Sequence, residues 1–169
     1  MSDRVIMGAN WYVDTLNCRK RLEEVRLSRL RLAMDNFVAG GGWAALAIPA
    51  EIEPLEATFS LKGSHDDVRG LFGREAGDWT TFTYYERLRD IMAGRNFGRF
   101  VTIRGLVVDI EQPEVRGKRA GNTRYGIGSI VFYHDVVNGR TVHKINLDTN
   151  ELILNGQNYS AEHNRLIAA

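Results

Sequence analysis

The sequence predicts a mainly β (α+β) domain: a small antiparallel β-barrel or sandwich with a helix packed on one side. Three observations predict it. Apolar and polar residues alternate in several runs of strand length. Asn138-Gly139 joins two of these runs, a strong hairpin signal because a type I′ turn needs positive φ at both central residues. Helix signals are confined to two short segments, one in mid-chain and one near the end.

Residues 19–38 set two rules against each other. Their composition favours helix. The apolar residues Leu22, Val25, Leu27, Leu30, Leu32, Met34 and Phe37 fall at spacings of 3, 2, 3, 2, 2 and 3, with Arg26 and Arg29 where a helical stripe needs apolar residues. The alternation predicts two strand segments joined by a bulge or kink at Ser28. The following stretch opens on Gly40-Gly41-Gly42 and reads as a long flexible loop over about residues 38–56. Ala57, Phe59 and Leu61 then alternate with Thr58, Ser60 and Lys62, as in a half-buried strand. Ser64 is the predicted N-cap of a short helix carrying Asp66 and Asp67 in its first turn and ending near Gly73.

Trp79–Arg89 is a predicted strand with Phe82, Tyr84 and Leu88 on one face. Its wetter face, Thr81, Thr83, Tyr85, Arg87 and Arg89, is expected to meet solvent or an interface. Phe97–Ile110 is rich in β-branched residues and apolar on both faces, so it calls for cover on both sides. Ser129–Val137 and Arg140–Leu147 form the predicted hairpin. A short strand at Glu151–Leu154 and a terminal helix over Ser160–Ile167, capped by Ser160, complete the pattern.

The 169 residues fit one domain spanning the chain, and 44% hydrophobic residues supply a core. The formal net charge of +1 gives no reason to coat nucleic acid and leaves subunits free to self-associate. A single cysteine, Cys18, excludes an internal disulfide and a multi-cysteine metal site. It is expected to be a reduced small residue, the sharper alternative being a thiol bridge between subunits. The N-terminal residues lack the apolar run of a signal peptide, and no segment approaches a membrane span, so cytoplasmic folding is expected.

Catalytic signatures are absent from the sequence. His65, His134, His143 and His163 make no ligand spacing; His134 and His143 flank the predicted hairpin and read as surface or interface histidines. Gly117, Gly121, Gly126 and Gly128 lack the Gly-Lys-Ser/Thr of a phosphate loop. The segment from Glu114 to Arg124 reads as a solvated basic hairpin tip able to touch phosphates. Asp109 and Glu111 read as a charged strand end. The expectation is no catalytic residue, no metal and no cofactor.

The order of features resembles the major tail tube proteins of contractile-tailed phages, a family shared with the inner tubes of R-type bacteriocins. The resemblance runs over roughly residues 10–167. It is carried by Asn10-Trp11-Tyr12-Val13-Asp14 in the place of the family's short first segment, and by the kinked run Val25 to Leu30, with Ser28 where the family usually has proline. Phe37-Val38-Ala39-Gly40-Gly41-Gly42 resembles the opening of its long loop. Ile103 to Ile110, with Arg104-Gly105, resembles its core strand, and the segment from Ile145 to Ile167 its tail. Residues 79–98 match only in pattern.

The resemblance implies a structural virion protein. Six copies would form a ring with a continuous inner β-barrel, and rings would stack helically. Val38, Gly40, Gly41, Gly42 and Trp43 would begin the loop that reaches the next ring. The face of Thr81, Thr83, Tyr85, Arg87 and Arg89 would line the lumen or an interface. Implied partners are other copies of the chain, a tail sheath protein, a tape-measure protein, a baseplate tube initiator and a tail terminator, with DNA passing through the lumen and no membrane involved. The place would be the virion tail, assembled in the host cytoplasm. The alternatives are the tube of a tailocin or type VI secretion-like system, which shares the fold, and a monomeric β-barrel binding module.

Overall fold

The computed structural model describes residues 3–119 and 121–169. Along the chain run β1 (Arg4–Val13), β2 (Leu16–Asn17), β3 (Leu22–Arg26), β4 (Leu32–Phe37), β5 (Leu46–Ile52), β6 (Ala57–Lys62), α1 (Asp66–Arg69), β7 (Thr80–Asp90), β8 (Asn96–Glu111), β9 (Asn122–Val137), β10 (Arg140–Asn146), β11 (Glu151–Leu154), β12 (Gln157–Asn158) and α2 (Ser160–Leu166). The named strands pair antiparallel throughout, and the sheets do not close into a barrel.

The longest strands, β8 and β9, form the spine and bend together. The register shifts between Arg104 and Leu106, where Ser129 takes φ 48°. Gly105 sits at the bend because a Cβ there would lie 2.8 Å from the Gly128 carbonyl oxygen. Beyond the bend, β9 changes partner: residues Phe132–Val137 pair with β10, while Asn122–Ile127 pair with β6. The sheet therefore forks into two wings. The first wing runs β2-β1-β7-β8-β9-β10-β11-β12; the second runs β8-β9-β6-β3.

The wings face each other across the core. Phe59 of the second wing meets Trp11 at 5.0 Å and Phe82 at 5.7 Å, both on the first. Tyr125 stacks on Phe59 at 4.9 Å. Val101, Ile103, Leu61 and Ile127 fill the remaining space, and Val68 of α1 is wholly buried. This is the sandwich that the alternation predicts.

Several sequence expectations need correction in detail. The mid-chain helix is one turn, and His65, not Ser64, stands at its N-cap, without a side-chain cap bond. In α2, Ser160 is the first helical residue; the N–H groups of Ser160 and Ala161 donate to Asn158 Oδ1, so Asn158 supplies the capping oxygen. The first segment is a ten-residue strand, whose exposed Arg4–Ala9 half hides the alternation. The predicted loop contains β5, which pairs with β4 in a separate two-stranded sheet. Pro49 and Ala50 in Leu46–Ile52 mask the strand signal. The kink expected at Ser28 separates β3 from β4, and Ser28 is buried there.

Candidate assembly surfaces

The β4–β5 hairpin is the most conspicuous exposed feature. A two-stranded ribbon is marginal in water unless something packs on it. This one leaves Leu32, Met34, Phe37, Val38, Leu46 and Ile48 exposed, and Trp43 at its tip is 104% exposed. Gly41 takes φ 82°, and a Cβ on Gly42 would lie 2.9 Å from the Ala39 carbonyl oxygen, so the glycine run shapes the tip. The predicted residues Val38, Gly40, Gly41, Gly42 and Trp43 all lie between β4 and β5.

The second wing is four strands wide, and among the described residues no strand pairs with either of its edges. β3 pairs on one side with β6, and residues 106–111 of β8 pair on one side with β9. On the free side of β8, a single bridge from Phe72 to Val107 touches the edge. The outward face of this wing is polar. Glu24, Arg26, Thr58, Lys62 and Arg124 project from it, and Arg124 pairs with Glu24 at 3.7 Å. Val108, at the bulge beside the open edge, is exposed together with Phe72.

The first wing's outward face has a different chemistry. Thr81, Thr83, Tyr85, Arg87 and Arg89 share it, since Phe82, Tyr84 and Glu86 turn into the buried side. Aromatic rings run across its strands: Tyr12 to Tyr85 at 5.6 Å, Tyr85 to Phe100 at 6.3 Å, Phe100 to His134 at 6.4 Å and Phe132 to His134 at 6.0 Å. Burial, followed by the nearby Lys144 ammonium, holds His134 below the ordinary imidazole value of 6.5. Its Nε2 lies 3.1 Å from the Thr141 hydroxyl. His134 and His143 do not meet across the hairpin: His134 pairs with Lys144, while His143 pairs with Asp135 on the opposite face.

Beneath this wing lies a buried charged cluster. Arg99 donates to both Asp135 carboxylate oxygens, at 3.0 and 2.8 Å, and approaches Glu86 at 3.6 Å. The Tyr84 hydroxyl donates to Glu86 at 2.8 Å. The bonds to Asp135 raise the Arg99 pKa further, and burial, then Glu86, raises that of Tyr84. This satisfied network fixes the register of β7, β8 and β9. Alternation in β7 signals its buried face, but Glu86 carries no sequence signal of burial.

Cys18 is 1% exposed, and its Sγ lies 3.7 Å from the Leu16 carbonyl oxygen. Desolvation pushes its thiol up, so it stays protonated and unreactive. A bridge to a neighbour would require the β2–β3 turn to open. No group of three or more potential metal ligands forms among the described residues, and no described helix is long and apolar enough to cross a membrane. Asp109 and Glu111 stand at the open end of β8, opposite Gly126 and Arg124.

A polar four-stranded wing whose edges carry no paired strand among the described residues stands beside an exposed apolar hairpin. The family model for phage tail tube protein FII matches residues 3–167, and the chain belongs to that family. It is a structural tail tube protein and not an enzyme. No curated protein matches the chain. Among solved structures, it is similar to a chain in the cryo-EM structure of an extracellular contractile injection system, the PVC sheath/tube terminator in its extended state. The identity is 10%, covering 78% of this chain and 93% of that one, with a TM-score of 0.53. The likeness is one of fold.

Proposed function

We propose that this chain is the subunit of the inner tube of a contractile phage tail. Six copies form a ring in which the free edge of β3 on one copy joins the free edge of β8 on the next. The second wings then make one continuous inner barrel. Closure removes both open edges, the general remedy for strands that would otherwise pair without limit. The polar outward face of this wing lines the channel through which DNA passes, after a tape-measure protein has occupied it.

The observation that carries this reading is the β4–β5 hairpin. It continues directly from β3 and β6 of the second wing and exposes apolar side chains along its length. In a stack of rings it reaches the next ring, a head-to-tail contact that repeats without closing. A baseplate tube initiator starts the stack, a tail terminator ends it and a sheath surrounds it. Assembly takes place in the host cytoplasm.

Trp43→Ala tests the hairpin's role. The side chain is fully exposed, so the monomer's stability should change by no more than about 0.5 kcal/mol. Electron microscopy of the variant should show rings or monomers in place of tubes. Tubes of wild-type length would contradict the proposal.

A further inference from the structure

The chain carries two Asn-Gly pairs, Asn138-Gly139 and Asn155-Gly156. Asparagine is a heat-labile residue, and before glycine it is most open to attack by the next backbone nitrogen, which no side chain shields. The two pairs are matched in almost everything that governs this chemistry. Each follows an aliphatic residue, Val137 or Leu154, and forms the centre of a two-residue hairpin turn. The backbones agree: φ is 52° and 79° in the first turn, 51° and 78° in the second. Both asparagines are exposed, and they line one hollow with Arg4 and Arg140, so they meet the same solvent. Each asparagine N–H is held by a backbone carbonyl, that of Gly98 for Asn138 and that of Val142 for Asn155.

One side chain separates them. Arg140 Nη2 donates to Asn155 Oδ1 and lies 3.4 Å from the Asn155 carbonyl oxygen. The arginine also runs along that turn: a Cβ on Gly156 would lie 3.9 Å from Arg140 Nε, whereas one on Gly139 would meet nothing within 4 Å. Among the described residues no hydrogen bond holds the Asn138 carboxamide. Ring closure requires the asparagine Cγ to swing onto the following nitrogen. Asn155 must first break its bond to a charged donor; Asn138 is free to turn.

We propose that Asn138 is a site of spontaneous deamidation and that Arg140 guards Asn155 from the same reaction. Solvent base removes the Gly139 N–H proton, and the nitrogen attacks Asn138 Cγ. The new N–C bond forms as the Cγ–Nδ2 bond breaks, and the amide nitrogen takes a proton from water and leaves as ammonia. Water then opens the succinimide at either carbonyl, giving aspartate or isoaspartate. The net change is one water consumed and one ammonia released, with no oxidant or reductant. The isoaspartyl product adds a methylene to the main chain of a turn whose N–H ties β9 to the Gly98 carbonyl at 2.7 Å.

The test incubates the folded chain at mildly alkaline pH and follows both sites by tryptic peptide mapping. Trypsin separates them, with Asn138 in residues 125–140 and Asn155 in residues 145–165, and fragmentation assigns the amide-to-acid mass gain to one residue. Asn138 should convert at least about fivefold faster than Asn155, the scale of one exposed hydrogen bond to a charged donor. In denaturant the two should convert alike, because their sequence contexts match. Arg140→Gln should bring Asn155 up to the rate of Asn138 in the folded protein. Should that variant not fold, Arg140→Lys, which keeps the charge without the planar fork, is scored in the same way. Equal rates in the folded wild type, or no conversion at Asn138, would overturn the proposal. So would a contrast that survives denaturant, or an Asn155 that stays slow without Arg140.

Discussion

Trp11 is the largest side chain with no exposed surface, and its contacts with Phe59, Phe82 and Tyr84 join the two wings. Its indole N–H is buried without a hydrogen-bond partner among the described residues. The ring therefore stabilises through packing, not through a polar bond. Trp11→Phe should cost less than about 2 kcal/mol, because the lost N–H has no partner to strand. Trp11→Ala should cost about 3–5 kcal/mol by opening a cavity. Urea denaturation of both variants checks the contrast. His134 gives a pH dependence of known sign. Its folded-state pKa lies below 6.5, so the folded protein binds fewer protons than the unfolded chain just below that pH. The stability linked to neutral His134 is complete above 6.5 and is lost as pH falls below it. Thermal melts should show a shallower acid-side decline in His134→Gln than in wild type.

At the scale of elements, legibility followed the strength of the local pattern. Ser28 was readable as a kink because the alternation on each side of it keeps a different phase, and the burial of Ser28 agrees. The Asn138-Gly139 turn was readable because its dihedrals demand those residues; both have positive φ, 52° and 79°. β5 was not, because Pro49, Glu51 and four small or β-branched neighbours give no clean alternation when only its end, at Ala50 and Ile52, is half-buried. The bend of the spine was also silent. Gly105 reads as an ordinary strand glycine until Gly128 and Ile130 are seen against it. Gly105→Ala would force that contact apart and should destabilise by about 1–3 kcal/mol, measurable by chemical denaturation. A loss below about 0.5 kcal/mol would show that the bend tolerates a side chain.

For the whole molecule, sequence gave strands but not the fork. β9 serves β10 with one half and β6 with the other along the same edge, and alternation identifies a strand without naming its partner. The division into two wings and the open edges of the second therefore emerged only in three dimensions; on the first wing, alternation marked the outward strip of β7, from Thr81 to Arg89, but not its continuation across β8 to Phe100 and Arg104. The apolar tip around Trp43 could be picked out in advance because the resemblance to tail tube proteins drew attention to it; its setting on a paired hairpin could not. In the tube proposed above, these edges and this hairpin are completed by further copies of the chain. Negative-stain electron microscopy of the purified protein at high concentration, with tail baseplates added as seeds, tests it most directly. Uniform hollow tubes with six-fold end views are expected. A monodisperse monomer that stays monomeric on the seeds would contradict it.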